Sequence, residues 1–377
     1  MARSNFRPSN LPPIPGDWIK KELDTRGWEQ RDLAFILGRP EQAVTLIISG
    51  KRGISPDMAK ALGAAFKVSP ALFMNLQRAY DLAVANEPDP AISRRARLSS
   101  YPIREMIRRG WLVESDADDL ENQMAGLFGT SNAEIPHLAF AGKKSRYDEI
   151  LPPPQLAWVF RVRQIAHTLE VADYSAKRLR AALPKLRKLL SDPEGISEVP
   201  RILAEAGVRF ILVEPLPQGK IDGACLWLND KSPVIGMSLR YDRIDNFWFV
   251  LRHEIEHVLR GDGRDDEIGV VDELDGNRGA FEGSDLPEPE LLANRAAAEF
   301  SIPQGELVEF IARRNPYISE RDVLSFASRV KVHPGLVVGQ IHSRTGRYDF
   351  LRRYLVKIRQ FVLPAAVTDG WGRVYTA

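Results

Sequence analysis

The stretch FVLRHEIEHVL, residues 249–259, places His253 and His257 four apart, with Glu254 directly after the first, in an otherwise apolar run. Only six histidines serve the whole chain of 377 residues, so a close pair in a segment of this kind calls for a chemical reason. On a helix, residues four apart lie one turn above each other and point the same way. Two imidazoles so placed can bind one zinc ion through ring nitrogens, and Glu254 then falls beside the remaining coordination position. Its carboxylate can take a proton from water whose pKa the metal has lowered toward ~7. The opposing explanation is chance. A buried helix with two histidines and a glutamate but no metal, however, would leave polar groups to satisfy, and metal is the better account.

The elements that must position these groups are legible around them. Ile244, Phe247, Trp248, Leu251, Ile255 and Val258 recur at i, i+3, i+4, i+7, i+11 and i+14, one apolar face of a core helix from about 244 to 259. A catalytic zinc normally takes a third protein ligand. Downstream, PEPELLANRAAAEFSIP (287–303) reads as a helix with small residues Ala293, Ala296 and Ala297 on one face, able to pack close to the first. Glu290 in its first turn can then reach the metal. Glu288 is its nearby competitor, and Glu299 is a packed or solvated group. Glu290 as a plain N-terminal acid favoured by the helix dipole is the alternative. Before the motif helix, VPRILAEAG forms a helix closed by Gly207, and VRFILV, GACLWLN and PVIGMSL are three short β-rich runs.

This half resembles the ImmA/IrrE family of metallopeptidases. The resemblance is carried by SLRYDRIDNFWF, HEIEH and ELLANRAAAEFSIP, and with KVHPGLVVGQI it runs from about residue 200 to 350. It implies a zincin-like domain holding Zn2+ by His253, His257 and Glu290, with Glu254 as the catalytic carboxylate. One departure is Glu256, where the family commonly has a small residue before the second histidine; it removes no ligand. His333 and His342, on later helical segments, are candidates for stabilising an oxyanion, against the plainer role of surface or core histidines.

At the front, DWIKKELDTRG, QRDLAFILG, PEQAVTLIISG, SPDMAKALGAAF and PALFMNLQRAYDLA predict five short amphipathic helices. Leu33, Ala34, Leu37, Val44 and Ile47 are spaced to bury one face of the second and third, and Gly38 provides the tight turn between them. In a helix-turn-helix the third helix lies in the major groove, exposing Glu41, Gln42, Thr45 and Ser49. Gln30 can donate to a phosphate, and Lys51 and Arg52 can contact the backbone of double-stranded DNA. WEQRDLAFILG, IISGKRGIS and SPALFMNLQ resemble the XRE-type repressor domain, especially that of HigA-like antidote proteins. Two positions depart from that pattern: Pro40, where a small capping residue is usual, and Ser49, where Asn is. The alternative is a helical bundle for dimerisation or protein binding.

Composition sets the frame. Hydrophobic content of 44 % and charged content of 27 % are ordinary for a soluble globular protein, no apolar run approaches membrane-spanning length, and MARSNFRPSN lacks the apolar core of a signal peptide. The single cysteine, Cys225, excludes an intrachain disulfide framework and a thiolate-rich zinc site, and it fits a reducing cytoplasm. Net charge is +2 but uneven: residues 1–85 hold 12 Lys and Arg against 8 Asp and Glu, and 262–290 hold 2 against 11. The modestly basic front favours a homodimer that pools phosphate contacts from two half-sites on an operator. The acidic segment is open between a gating loop, a docking surface and a solvated loop.

The expected layout is a lead-in (1–15), a five-helix lambda-repressor-like helix-turn-helix domain (16–85), a linker and helical middle (86–198), a zincin-like domain (199–350) and a basic tail (351–377). The fold class is mainly α with a small β-sheet, α+β. Two functions follow. One is a DNA-binding regulator carrying a zinc-dependent endopeptidase that cleaves a repressor or antitoxin-type partner. The other is a HigA-like antitoxin or repressor whose second half senses a ligand or holds a toxin without proteolysis.

Overall fold

The computed structural model describes residues 12–130, 151–265, 268–274, 286–314 and 316–376. Most of the lead-in, part of the helical middle and much of the acidic segment lie outside the described residues. The chain divides into two compact units, Met1–Asp89 and Pro90–Ala377. No described helix is long and apolar enough to cross a membrane.

The first unit runs through α1 (Pro15–Arg26), α2 (Gln30–Leu37), α3 (Glu41–Ile48), α4 (Pro56–Phe66) and α5 (Pro70–Val84). Ser55 and Ser69 start α4 and α5: each hydroxyl accepts a backbone N–H of the first turn, and each is followed by proline at a position where no amide donor is needed. Gly38 ends α2 at φ 61, a left-handed conformation that glycine adopts freely, and so turns the chain into α3. Leu33, Ala34, Val44 and Ile47 are buried as their spacing predicts, with Ile19, Leu62 and Phe66; Leu37 is half-buried. Trp18 stands edge-on to Phe66 and Phe73, with ring centroids 5.8 and 5.1 Å away. A Cβ at Gly16 would lie 2.2 Å from the Ile48 carbonyl oxygen, so α1 and α3 approach backbone to backbone only because residue 16 has no side chain.

The second unit contains α6 (Pro90–Leu98), α7 (Ile103–Arg108), α8 (Ala117–Phe128), α9 (Pro153–Thr168), α10 (Ala176–Lys188), α11 (Val199–Ala206), β1 (Arg209–Val213), β2 (Gly223–Trp227), β3 (Pro233–Met237), α12 (Ile244–Arg260), β4 (Val270–Asp272), α13 (Glu288–Ser301), α14 (Gln304–Arg314), α15 (Glu320–Val330), α16 (Pro334–Thr345), α17 (Arg359–Val362) and β5 (Val367–Asp369). The strands form one mixed sheet in the order β4-β2-β3-β1-β5. β1 is parallel to β3 and β5, and β2 is antiparallel to β3 and β4.

Both faces of that sheet are covered, which explains why β1 to β3 read as unbroken apolar runs rather than alternating ones. Phe210, Leu212, Cys225, Trp227, Ile235 and Met237 pack on one side with Phe247, Trp248 and Leu251 of α12. Ile211, Val213, Ala224, Leu226 and Val234 pack on the other with Leu156, Trp158 and Val162 of α9. The helical middle and the basic tail are therefore parts of this unit. Trp158 donates its indole N–H to the Val213 carbonyl at 2.9 Å, and the tail supplies β5, whose buried Asp369 accepts from Arg161 at 2.5 Å. The run LPPPQ is the threshold of α9, where proline's fixed φ suits the first helical turn.

Candidate metal centre and nucleic-acid interface

Ile244, Phe247, Trp248, Leu251, Ile255 and Val258 are all buried, and this apolar face carries the motif into the interior: His253, Glu254 and His257 are 0 % exposed. α13 lies alongside, with Ala293, Ala297 and Ala298 buried. Phe249 packs against Ala297 and Ala298. The small side chains let the first turn of α13 come close enough for Glu290 to reach the histidines.

The His253 and His257 Nε2 atoms are 2.9 Å apart. Glu290 Oε2 lies 3.2 Å from His253 Nε2, and Glu290 Oε1 lies 3.5 Å from His257 Nε2. A fourth group joins them. Asp272 Oδ2, at the end of β4, is 3.3 Å from His253 Nε2 and 3.8 Å from His257 Nε2. All four residues are buried, and one ligand atom from each lies within 4.8 Å of every other. Four donors about a zinc-sized cation at ~2.0–2.2 Å stand roughly 3.3–3.6 Å apart in a tetrahedron, so this set can hold a metal ion. Two imidazole nitrogens facing each other, with two carboxylates closing the cluster, also need a positive charge among them to be stable in the interior.

The electrostatics agree. Burial opposes charging His253 and His257, yet the surrounding carboxylates outweigh it and raise both to about 9. For His253 the leading partner is Asp272; for His257 it is Asp262. Glu290 faces the opposing pull: burial raises it, and its bonds to the two imidazoles win, holding it far below the ordinary carboxylate range. Glu254 goes the other way. Burial first, and the neighbouring Asp272 charge second, push it well above that range. Both its oxygens are buried, and Asp272 is the carboxylate set against them.

The surroundings explain the placement. Gly261 ends α12 in the left-handed conformation at φ 74, and the chain folds back so that Asp262 Oδ2 meets His257 Nδ1 at 3.0 Å. A carboxylate there holds the proton on Nδ1 and leaves the Nε2 lone pair facing the cluster. Asp262 is itself fixed, since its carbonyl accepts the Trp227 indole N–H at 2.9 Å. Glu254 rests over β2: a Cβ on Gly223 would fall 2.1 Å from Glu254 Oε1. Gly223 is also paired in register with Asp272, so the β2–β4 edge brings the base and the fourth ligand to one place.

Sequence reasoning missed Asp262 and Asp272. They stand in the acidic segment, part of which is turned inward: Ile268, Val270 and Asp272 are buried, while Asp265, Glu273 and Glu288 are exposed. Among the residues it did single out, Glu290 is in the cluster, whereas Glu288 is exposed and Glu299 is exposed with an oxygen accepting the Gln304 backbone N–H. Glu256 pairs with Arg252 at 2.7 Å along the helix. His333 and His342 are not members of the cluster. His333 caps α16 by accepting the Gly335 backbone N–H, and His342 is buried with its Nε2 bonded to the Phe350 carbonyl, so both carry structural bonds, in keeping with the plainer role weighed for them. Cys225 is a buried core thiol, as expected.

In the first unit, Glu41, Gln42 and Thr45 project from α3 into solvent, and Ser49, just past its end, and Lys51 and Arg52 are exposed too. Gln30, at the start of α2, is half-buried and accepts the Thr45 hydroxyl at 2.9 Å, which ties the two helices at their outer surface. That bond uses the amide oxygen and leaves the NH2 group as a donor.

Residues 19–73 match the helix-turn-helix family model. The chain is 43 % identical over 77 residues to virulence-associated protein A' of Dichelobacter nodosus, a match covering 20 % of this chain and 67 % of that one. It is 34 % identical over 86 residues to the uncharacterized HTH-type transcriptional regulator YddM of Escherichia coli (strain K12), covering 23 % of this chain and 90 % of the relative. Among solved structures, an addiction module antidote protein of the HigA family from Coxiella burnetii is 30 % identical, with 24 % of this chain and 92 % of that chain covered and a TM-score of 0.20.

Proposed function

The chain belongs to the helix-turn-helix family through its first unit, and we propose on that premise that it is a DNA-binding regulator whose second unit is a metal-dependent endopeptidase of the ImmA/IrrE kind. The DNA-binding part rests on residues 19–73 and on α3, which offers Glu41, Gln42, Thr45 and Ser49 to base edges while Gln30, Lys51 and Arg52 meet phosphates. A homodimer reading two operator half-sites suits a unit of modest positive charge. The substrate expected from the resemblance is a repressor or antitoxin-type protein.

One observation carries the enzymatic part: His253, His257 and Glu290 converge on a single buried point with Glu254 beside it. A Zn2+ ion held there supplies Lewis acidity, polarising a carbonyl and acidifying water. Glu254 then acts as general base. Its carboxylate takes the proton as the water oxygen joins the carbonyl carbon, and returns it to the amine as the C–N bond breaks.

Asp272 favours a second reading, in which the four-donor centre is a closed metal site that senses or holds a partner without proteolysis. Metal analysis by mass spectrometry, coupled to a cleavage assay on the co-encoded partner, separates the two. Wild-type protein is expected to carry one zinc per chain, and His257→Ala and Glu290→Ala are expected to lose it. Glu254→Gln is expected to keep metal and fold while cleavage falls by about 10²–10⁴-fold. Stoichiometric metal with no cleavage, and no effect of Glu254→Gln, leaves the second reading standing.

A further inference from the structure

The fourth donor raises a mechanical problem. A zinc centre that hydrolyses peptides keeps one position open for water or substrate, whereas one with four protein ligands is closed. Here the position beside Glu254, the one a water must occupy to be deprotonated, is where Asp272 stands. Its Oδ2 is 3.3 Å from His253 Nε2, and it is among the charges acting on Glu254.

Asp272 is also held differently from the other donors. His253, His257 and Glu290 project from two long helices packed into the core, and His257 is braced from behind by Asp262. Asp272 is the last residue of a three-residue strand that, among the described residues, stands at the edge of the sheet and pairs on one side, with β2. Its backbone is fixed, with the carbonyl accepting the Asp222 N–H at 2.9 Å. Its carboxylate lies against the two imidazoles and the Glu254 carboxyl, all groups of the centre itself. A short side chain at a strand end can leave by rotation about one bond, with no helix moving.

We infer that Asp272 is an internal fourth ligand that shuts the metal centre in the folded chain, and that its carboxylate must swing away before water or a peptide carbonyl can enter. This rests on the metal-centre reading above and adds regulation to it: the unit is folded in a latent state, and activation is the withdrawal of one carboxylate. Three firmly positioned ligands retain the metal while the fourth position exchanges.

Cobalt replaces zinc in such sites and its visible spectrum reports coordination, so the test needs no knowledge of the substrate. Full-length wild-type protein loaded with Co2+ is compared with Asp272→Ala and the isosteric Asp272→Asn, each titrated with azide. The wild-type spectrum is expected to be that of a four-coordinate ion and to ignore azide. Both variants are expected to keep one metal per chain, to bind it more weakly by at least about tenfold, as befits loss of a direct ligand, and to change colour on adding azide. Azide binding to the wild type as readily as to the variants overturns the inference, as do unchanged metal affinity and spectrum in both variants. Should Asp272→Ala fold poorly, Asp272→Asn decides. Cleavage is scored separately. Variants that take azide and cleave a partner faster than the wild type does support both proposals. Variants that take azide yet cleave nothing support the closed fourth position and count against the peptidase. A chain that binds no cobalt overturns both.

Discussion

At the scale of single residues, the candidate centre depends on side chains outside its four possible donors. Asp262 fixes the proton of His257 on Nδ1, and it can do so because Gly261 reverses the chain directly after α12. Its removal leaves both ligand nitrogens in place but frees one ring to turn. Asp262→Asn is expected to weaken zinc binding by about 10–100-fold while the far-ultraviolet spectrum stays that of the wild type, as read by competition with a chromophoric chelator. An unchanged affinity would mean that packing alone orients His257. Gly223 plays the complementary part: having no side chain, it makes the space in which Glu254 lies.

At the scale of elements, α2 and α3 make a recognition surface from short helices that could not be stable alone. Their buried faces, Leu33, Ala34, Val44 and Ile47, hold them to the core, and the Thr45–Gln30 bond ties their outer edges. Lys51 and Arg52 follow α3 in an exposed turn, and as the proposed phosphate contacts they would act on affinity rather than on sequence choice. Lys51→Ala and Arg52→Ala are each expected to weaken operator and non-specific DNA binding alike, and to lower the slope of log K against log salt by about one per DNA-contacting subunit. Fluorescence anisotropy across a salt series measures this. Loss of binding to one sequence only, with the slope unchanged, would assign these residues to base contacts instead.

At the scale of the whole molecule, two units with separate cores share one chain. The first is stabilised by an aromatic cluster of Trp18, Phe66 and Phe73, the second by a sheet covered on both faces. A metal held by native structure in the second alone would stabilise that unit by mass action, about 2.7 kcal/mol at a hundredfold excess over Kd. Scanning calorimetry is expected to resolve two transitions, of which chelation lowers only one. A single transition that moves as a whole on chelation would mean that the units unfold together.

Much of this was readable in the sequence because it is local. Periodicity of 3.6 residues places His253 and His257 on one helix face, the small residues and first-turn acid of 287–303 present Glu290, and five short amphipathic segments with a glycine turn give the helix-turn-helix. Three of the five strands were equally plain, as apolar β-rich runs between turns. Asp262 and Asp272 were not, since they are two of 11 acids in 262–290, and composition cannot say which carboxylate turns inward. That choice was made by the antiparallel register that sets Asp272 opposite Gly223, and by the chain reversal that returns Asp262 to His257. β4 and β5 span three residues each, too few to show an alternation, and they are strands only because a partner offers them hydrogen bonds. The sequence thus determined three of the four groups that can hold a metal. Whether the last position at that metal is open or filled was left to the tertiary structure, because it depends on which distant backbone lies against the motif helix.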